Sequence, residues 1–290
     1  MTERNKESEL QALREFTGDP NVAPIELDDT FEFKCQRCGR CCMHREDIIL
    51  NPFDIYNGAK YLGISTQDFI TQYTYPSLGG HSKIPMVLLT TTANGYCPLL
   101  ELDVKDGGKF KCKINPAKPG ACSNHPIGIT RIINKETNVE ELGFIKVSHC
   151  ANSTSDEQHT VREWVQPYMD HLEEIKYAHR LQYMITDYFS PREFCFLVNL
   201  SKDTAEAHND EQMLASVRTL MMEYVKNYIM IAYGAYDINK PFIEQAEENI
   251  KALDAFLTST KQLVESMTSC LEEATGQTLH EIMKENNFEP

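Results

Sequence analysis

Eight cysteines lie between residues 35 and 150, and their type and spacing indicate chemistry more clearly than any other residues. The chemistry that so many clustered thiols indicate is metal binding or thiol catalysis, because structural disulfides are rare in a reducing compartment. The neighbours of the first four are Lys, Gln, Arg and Gly rather than core residues, so packing as small apolar side chains does not explain them. We expect all eight to bind metal: Cys35, Cys38, Cys41, Cys42, Cys97, Cys112, Cys122 and Cys150.

The first four cysteines form a Cys-x-x-Cys-x-x-Cys-Cys motif. Cys35, Cys38 and Cys41, at a spacing of three, are similar to the run that holds three corners of a 4Fe–4S cluster in bacterial ferredoxins. Gly39 suits the tight turn that this spacing requires, because glycine adopts positive φ without steric cost. Adjacent side chains usually diverge, so we expect Cys41 and Cys42 to serve two different metals.

Eight thiolates satisfy more than one arrangement. They match two four-cysteine sites, holding two clusters or two zinc ions, or one cluster and one mononuclear site. We predict an iron–sulfur cluster of the 4Fe–4S type, with Zn²⁺ as the alternative. His125 and His149 could replace a cysteine or donate to a sulfur. Cys195 and Cys270 are interpreted as structural.

Basic residues beside the cysteines are expected to offset the negative charge of the thiolates. They are Lys34, Arg37, Arg40, Lys109, Lys111 and Lys113. Residues 31–150 carry 14 Lys+Arg and 11 Asp+Glu, while the whole chain has a net charge of −15. We therefore expect no nucleic-acid partner, because no basic face outweighs the acidic bulk.

The remaining composition is that of an ordinary globular protein. No apolar run is long enough to cross a bilayer, and residues 1–20 have no apolar signal-peptide core. We expect a cytoplasmic protein without a membrane partner. We expect its partner to be a protein or a small molecule that the sequence does not identify.

The elements that position the cysteines are short and irregular, and helical periodicity begins after them. Asn51-Pro52 and Gly63 bound one predicted helix, and Ser65 caps a second. Strands are predicted at 85–92, 98–104, 110–114 and 142–147, with a turn at Asp106-Gly107-Gly108. Further helices are predicted near 161–175, from Ser190-Pro191, and at 205–236, 241–267 and 278–285.

These patterns predict an α+β protein in three parts. Residues 1–30 are a flexible acidic N-terminal segment, and residues 31–152 are a small irregular cysteine-rich metal-binding domain with short helices and strands. Residues 153–290 are a mostly α-helical domain. The Met- and Tyr-rich helices read as core rather than as a cofactor pocket.

The cysteine-rich part resembles the YkgJ-type cysteine-cluster family, which is described as chelating zinc or iron. The resemblance covers about residues 31–152 and rests on six features. They are the Cys-x-x-Cys-x-x-Cys-Cys of 35–42, an aspartate-containing helix at Asn51-Pro52-Phe53-Asp54-Ile55 with Leu62-Gly63-Ile64-Ser65 and Asp68-Phe69 downstream, Cys97-Pro98-Leu99-Leu100, the turn Gly107-Gly108 that leads to Cys112, Lys118-Pro119-Gly120-Ala121-Cys122 with Pro126, and the late Cys150. The resemblance implies metal chelation by the same eight cysteines.

Some members of that family are described as flagellin lysine N-methylases, so the resemblance also admits methyl transfer. No glycine-rich G-x-G-x-x-G loop follows a predicted strand to hold an adenosyl cofactor. Arg45 stands where a radical adenosylmethionine enzyme would carry its third cysteine. No catalytic residue is assigned, and whether the chain is an enzyme stays open.

The sequence therefore favours an iron–sulfur protein with a redox or metal-dependent enzymatic role. A zinc-stabilised structural or binding module is the first alternative. A protein-lysine N-methylase, by family analogy, is the second.

Overall fold

The chain forms two compact units, and each is built from two separate stretches. The computed structural model describes residues 20–133, 140–147 and 156–288, with residues 11, 14, 15 and 18 before them. The first unit contains Met1–Ile48 and Thr90–Leu172, and the second contains Ile49–Leu89 and Glu173–Pro290. The architecture is α+β, as predicted, with helices and small antiparallel sheets.

The strands are short. In chain order they are β1 Ala23–Pro24, β2 Thr30–Glu32, β3 Ile49–Leu50, β4 Thr74–Leu78, β5 Pro85–Leu89, β6 Leu100–Asp103, β7 Lys109–Cys112, β8 Ile127–Ile133, β9 Glu140–Lys146 and β10 Gln158–Thr160. Two three-stranded sheets have the orders β1-β9-β8 and β3-β5-β4, and two two-stranded antiparallel sheets are formed by β10-β2 and β6-β7.

The α-helices lie mainly in the second unit. They are α1 Pro52–Leu62, α2 Thr66–Tyr73, α3 Gly120–Ser123, α4 Val161–Met169, α5 Leu172–Tyr183, α6 Pro191–Ala207, α7 Glu211–Ile229, α8 Phe242–Thr275 and α9 Leu279–Glu285. Single turns of 3₁₀ helix occur at Arg40–Cys42, Val104–Asp106, Asn115–Ala117 and Met184–Asp187, and a π-turn follows α7 at Met230–Gly234. No helix in the described part of the chain is both long and apolar enough to cross a bilayer.

The core of the first unit is aromatic and lies beside the cysteine-rich loops. Phe31 and Phe33 flank the end of β2, and the Trp164 ring meets both edge-on, at centroid distances of 5.5 and 5.4 Å. The Trp164 Nε1 donates to the carbonyl oxygen of Asn124 at 2.9 Å. Residues buried around them include Ile127, Phe144, Val161 and Val165.

The second unit joins the early segment 49–89 to the late helices. Thr66 is fully buried, and its Oγ1 donates to the carbonyl oxygen of Gly234 at 2.7 Å. The Tyr56 hydroxyl donates to the carbonyl oxygen of Lys240, also at 2.7 Å. The sequence had placed residues 49–89 with the cysteine-rich part, and these bonds explain why they group with the helices instead.

The helix boundaries follow local sequence signals. Asn51 and Asp54 form a capping box at the start of α1, and Gly63 ends it with φ 67°. Ser65 caps α2 and Ser190 caps α6, as predicted. The predicted helix at 205–236 is interrupted near Asn209, which has φ 53°, so it is two helices rather than one.

Candidate metal centre

The first cysteine follows a strand that is fixed at its end. β2 pairs with β10, and beyond the pair the Phe33 amide donates to the carbonyl oxygen of Glu157 at 3.1 Å. The Lys34 ammonium pairs with the Glu157 carboxylate at 3.1 Å. Cys35 comes next and is exposed. The motif therefore begins as a surface loop that leaves an anchored strand.

Arg37 fastens this loop to the β6–β7 hairpin. Its Nε donates to the carbonyl oxygen of Phe110 at 2.9 Å, and the Phe110 amide donates back to the carbonyl oxygen of Arg37 at 2.9 Å. Its two terminal nitrogens donate to Asp106 at 2.6 Å and to Asp103 at 2.9 Å. Because β7 ends at Cys112, this arginine links the loop of Cys35 and Cys38 to the strand that carries Cys112.

Gly39 adopts positive φ, as the motif predicts, and it also permits a close approach. Its φ is 77°, and a Cβ at this position would lie 2.8 Å from Cδ2 of Phe110. The aromatic ring thus covers the glycine directly. Both the turn and the contact exclude a larger side chain.

Cys41 and Cys42 lie on the 3₁₀ turn Arg40–Cys42, with their Sγ atoms 3.8 Å apart. The expectation that adjacent side chains diverge is wrong here, because the 3₁₀ turn leaves the two thiols on the same side. That the two serve different metals stays a prediction.

Cys97 is positioned by a second loop that runs beside the motif. Its amide donates to the carbonyl oxygen of Cys42 at 2.9 Å, and the His44 amide donates to the carbonyl oxygen of Gly95 at 2.6 Å. Met43 and Tyr96 form an antiparallel bridge between these bonds. These backbone contacts bring Cys97 beside the adjacent cysteines Cys41 and Cys42, which we call the vicinal pair.

Cys112 and Cys122 come from the segments that follow. Cys112 lies opposite Leu100 in the β6–β7 pair, and the Leu100 amide donates to the carbonyl oxygen of Cys97 at 3.0 Å. Cys122 sits in α3, where its amide donates to the carbonyl oxygen of Pro119 at 2.8 Å. Both side chains are half-buried.

Electrostatic interactions connect these sulfurs. The pKa of Cys42 is raised, first by its hydrogen bond with Cys41, then by burial, and then by the charges of Cys41, Cys122 and Cys97. Burial raises the pKa of Cys97, and the charge of Cys112 adds to this. Burial also raises the pKa of Cys112. Five of the predicted ligands are thus neighbours in one part of the first unit.

The vicinal pair itself is polarised. The hydrogen bond from Cys42 is the largest influence on Cys41 and lowers its pKa to about 6, against the opposing effect of burial. The positive charges of Lys118 and Arg45 lower the pKa further. A thiolate at neutral pH is the form that binds metal.

Only some of the cations that the sequence suggested face the sulfurs. Lys113 does, since its positive charge acts to lower the pKa of Cys97 against the effect of burial. Most of the others are paired with carboxylates. Lys34 pairs with Glu157, Arg37 with Asp103 and Asp106, Lys109 with Asp106, and Lys111 with Glu101. Lys118 and Arg45 were missed as charge partners. Their signal was available, since Arg45 follows Cys42 by three residues and Lys118 opens the motif of Cys122.

The described residues do not form a finished coordination site. Within residues 20–133, 140–147 and 156–288, no group of three His, Cys, Asp or Glu side chains is placed so that it could hold an ion. Cys38 is half-buried, and Cys150 and His149 lie outside the described residues. His125 packs its ring edge-on against Phe33 at 5.9 Å between centroids.

The remaining two cysteines differ from each other. Cys195 is 4 % exposed inside α6, as a structural cysteine should be, whereas Cys270 is exposed on α8. Packing as a small apolar side chain therefore explains only Cys195. The clustered side chains are all thiols, and Lys118 and Arg45 lie near them. Thiolates are ligands that zinc and iron both bind.

Comparison with protein families agrees with this chemistry. Residues 34–159 match the family model "CxxCxxCC: Putative zinc- or iron-chelating domain". The match covers 126 of the 290 residues, and we call residues 34–159 the CxxCxxCC domain after it. The resemblance predicted from the cysteine motifs is thereby confirmed, and the CxxCxxCC domain covers every predicted ligand. No curated protein and no solved structure matches the chain significantly.

Proposed function

We propose that the CxxCxxCC domain binds metal through thiolates of the eight clustered cysteines. The observation that carries this proposal is the grouping of Cys41 and Cys42, whose Sγ atoms are 3.8 Å apart, with Cys97, whose amide donates to the carbonyl oxygen of Cys42 at 2.9 Å. The charge of Cys122, from a third segment, also raises the pKa of Cys42. Uncharged thiols gain little from such grouping, whereas thiolates repel one another unless a cation lies between them. Lys118 and Arg45 offset part of that repulsion, and a bound metal ion would offset the rest.

An iron–sulfur cluster with a redox or metal-dependent enzymatic role is the first form of this proposal. The spacing of Cys35, Cys38 and Cys41 supports a cluster of the 4Fe–4S type, with a later cysteine as the fourth ligand. A bound cluster would supply one-electron transfer. The chain would provide the thiolates, and Lys118 and Arg45 would stabilise the anionic site. A reducing cytoplasm suits this chemistry, and a protein or small molecule is the proposed partner.

A closed zinc site is the second form, and the vicinal pair favours it. Two thiolates on one tetrahedral metal, with metal–sulfur bonds of about 2.3 Å, lie about 3.8 Å apart. The Sγ atoms of Cys41 and Cys42 already have this separation of 3.8 Å. The motif loop also buries little apolar surface, since between residues 34 and 47 only Gly39 is buried. A structural metal would stabilise such a segment.

Metal analysis of protein purified without air tests the proposal and separates its two forms. Iron with acid-labile sulfide and visible thiolate-to-iron absorption would identify a cluster. A colourless protein with stoichiometric zinc would identify the closed site. Neither metal in the native protein would refute the proposal as a whole. The variant Cys270→Ser is the matched control, because its thiol is exposed and outside the domain.

A further inference from the structure

The second unit contains a cavity of about 920 Å³ whose walls are basic. Lys83, Arg192 and Lys284 line it together with His81 and His280, and no Asp or Glu is among the described residues that line it. Such a concentration of cations is unexpected in a chain with a net charge of −15. Like charges that are kept together indicate an anionic ligand.

The turn between β4 and β5 positions two of these side chains at a conformational cost. The Gly79 amide donates to the carbonyl oxygen of Ile84 at 3.0 Å, which closes the turn. Within it Lys83 adopts φ 56°, in the left-handed region that is unfavourable for a non-glycine residue. The Lys83 ammonium donates to the carbonyl oxygen of Gly80 at 2.7 Å and so stays at the cavity wall.

Arg192, in the first turn of α6, is held between two rings. Its Nη1 lies 2.7 Å from Nε2 of His81, and its guanidinium carbon lies 5.6 Å from the centre of the Phe288 ring. Arginine only donates hydrogen bonds, so Nε2 of His81 accepts here. Phe288 in turn packs against Phe196 at a centroid distance of 5.2 Å. The guanidinium is therefore oriented before any ligand arrives.

We propose that this cavity binds a small organic phosphate with an aromatic or other flat apolar group. Three permanent cations suit a ligand with at least two negative charges, which a phosphate monoester carries and a single carboxylate does not. The planar guanidinium of Arg192 matches two phosphate oxygens at once. Phe288 supplies an aromatic ring beside it, and the cavity volume is in the range of small-ligand sites, about 300–1,000 Å³.

Calorimetric titration of the full chain with phenyl phosphate, at constant ionic strength, tests this site. We expect a dissociation constant below about 1 mM, and weaker binding of inorganic phosphate, which lacks the ring. Arg192→Gln and Lys284→Gln should each weaken phenyl phosphate binding by about tenfold, the loss expected for one charge-assisted hydrogen bond. Lys284 is exposed, so its variant should fold normally.

Lys261→Gln is the matched control, because this exposed lysine lies on α8 and is not among the residues lining the cavity. It removes the same charge and should leave binding unchanged. Equal binding by the wild type and Lys284→Gln, or equal weakening by Lys261→Gln, would overturn the proposal. So would the absence of binding in a wild type that is folded by circular dichroism. Equal affinities for phenyl phosphate and inorganic phosphate would overturn the role of Phe288.

Discussion

Arg37 and Phe110 exchange two hydrogen bonds across 73 residues of sequence, each 2.9 Å long. This exchange joins the Cys-x-x-Cys turn to the strand that carries Cys112. We expect Arg37→Gln to lower the free energy of unfolding of the first unit by about 1–2 kcal/mol, because the carbonyl oxygen of Phe110 loses its charged donor. Chemical denaturation, followed by the fluorescence of Trp164, measures the change.

Lys109→Gln provides the comparison for Arg37. It removes the same charge from a side chain that also pairs with Asp106, but this ion pair is 3.5 Å long and exposed. Such pairs contribute about 0–1 kcal/mol. If both variants lower the free energy of unfolding by the same amount, the Arg37 hydrogen bonds do not hold the loop in place.

Gly39→Ala should destabilise the CxxCxxCC domain more than Gly107→Ala. Both glycines have positive φ, 77° and 62°, so each substitution costs about 1–2 kcal/mol of backbone strain. Only at Gly39 does the new Cβ overlap a ring, that of Phe110 at 2.8 Å, which adds roughly 1–3 kcal/mol. Thermal unfolding of the two variants measures the difference. Equal melting temperatures would show that the ring moves aside freely.

Cys42→Ser should remove part of the bound metal and leave the rest. Its thiol is the one that interacts with Cys41, Cys97 and Cys122, whereas other predicted ligands remain intact. Elemental analysis of anaerobically purified protein, expressed as metal per chain, measures the loss. Cys270→Ser should retain the full content. Unchanged metal in Cys42→Ser would exclude that thiol as a ligand.

Cys41 should react with iodoacetamide at lower pH than Cys112 in the reduced, metal-free protein. Its pKa is lowered to about 6, so its thiolate is lost only as the pH falls through that value. The pKa of Cys112 is raised by burial, so its thiolate fraction still grows above about pH 8.5. Peptide mapping by mass spectrometry after timed alkylation gives both pH profiles.

Lys118→Gln tests the cause of the Cys41 shift. Removal of this positive charge should move the alkylation profile of Cys41 to higher pH, while that of the exposed Cys270 stays in place. Identical alkylation profiles against pH for Cys41 and Cys112 in the wild type would contradict the lowered pKa of Cys41.

Local signals in the sequence predicted local structure well. Asn51, Gly63 and Ser65 bound helices because capping depends on residues only three or four positions apart. The hairpin turn at Gly107 was likewise predicted, because positive φ there needs no distant partner. The family motifs similarly identified the CxxCxxCC domain.

Structure that depends on distant partners could not be predicted in the same way. The pairing of β2 with β10 joins residues about 126 apart, as between Glu32 and Gln158, and short strands carry little periodicity. The approach of Lys118 to Cys41 also spans separate segments. The close thiols of Cys41 and Cys42 result from a 3₁₀ turn, which the motif alone does not specify.

Residues 49–89 belong to the second unit but interrupt the first in sequence, which matters for expressing the first unit alone. Ile49 and Leu88 are direct register partners in the β3–β5 pair, so the two ends of this segment lie within about 5.5 Å. A splice of two or three glycines between Ile48 and Thr90 could therefore excise the segment without stretching the backbone. Truncation after Leu172 would instead leave α1 and α2 without the helices that cover them.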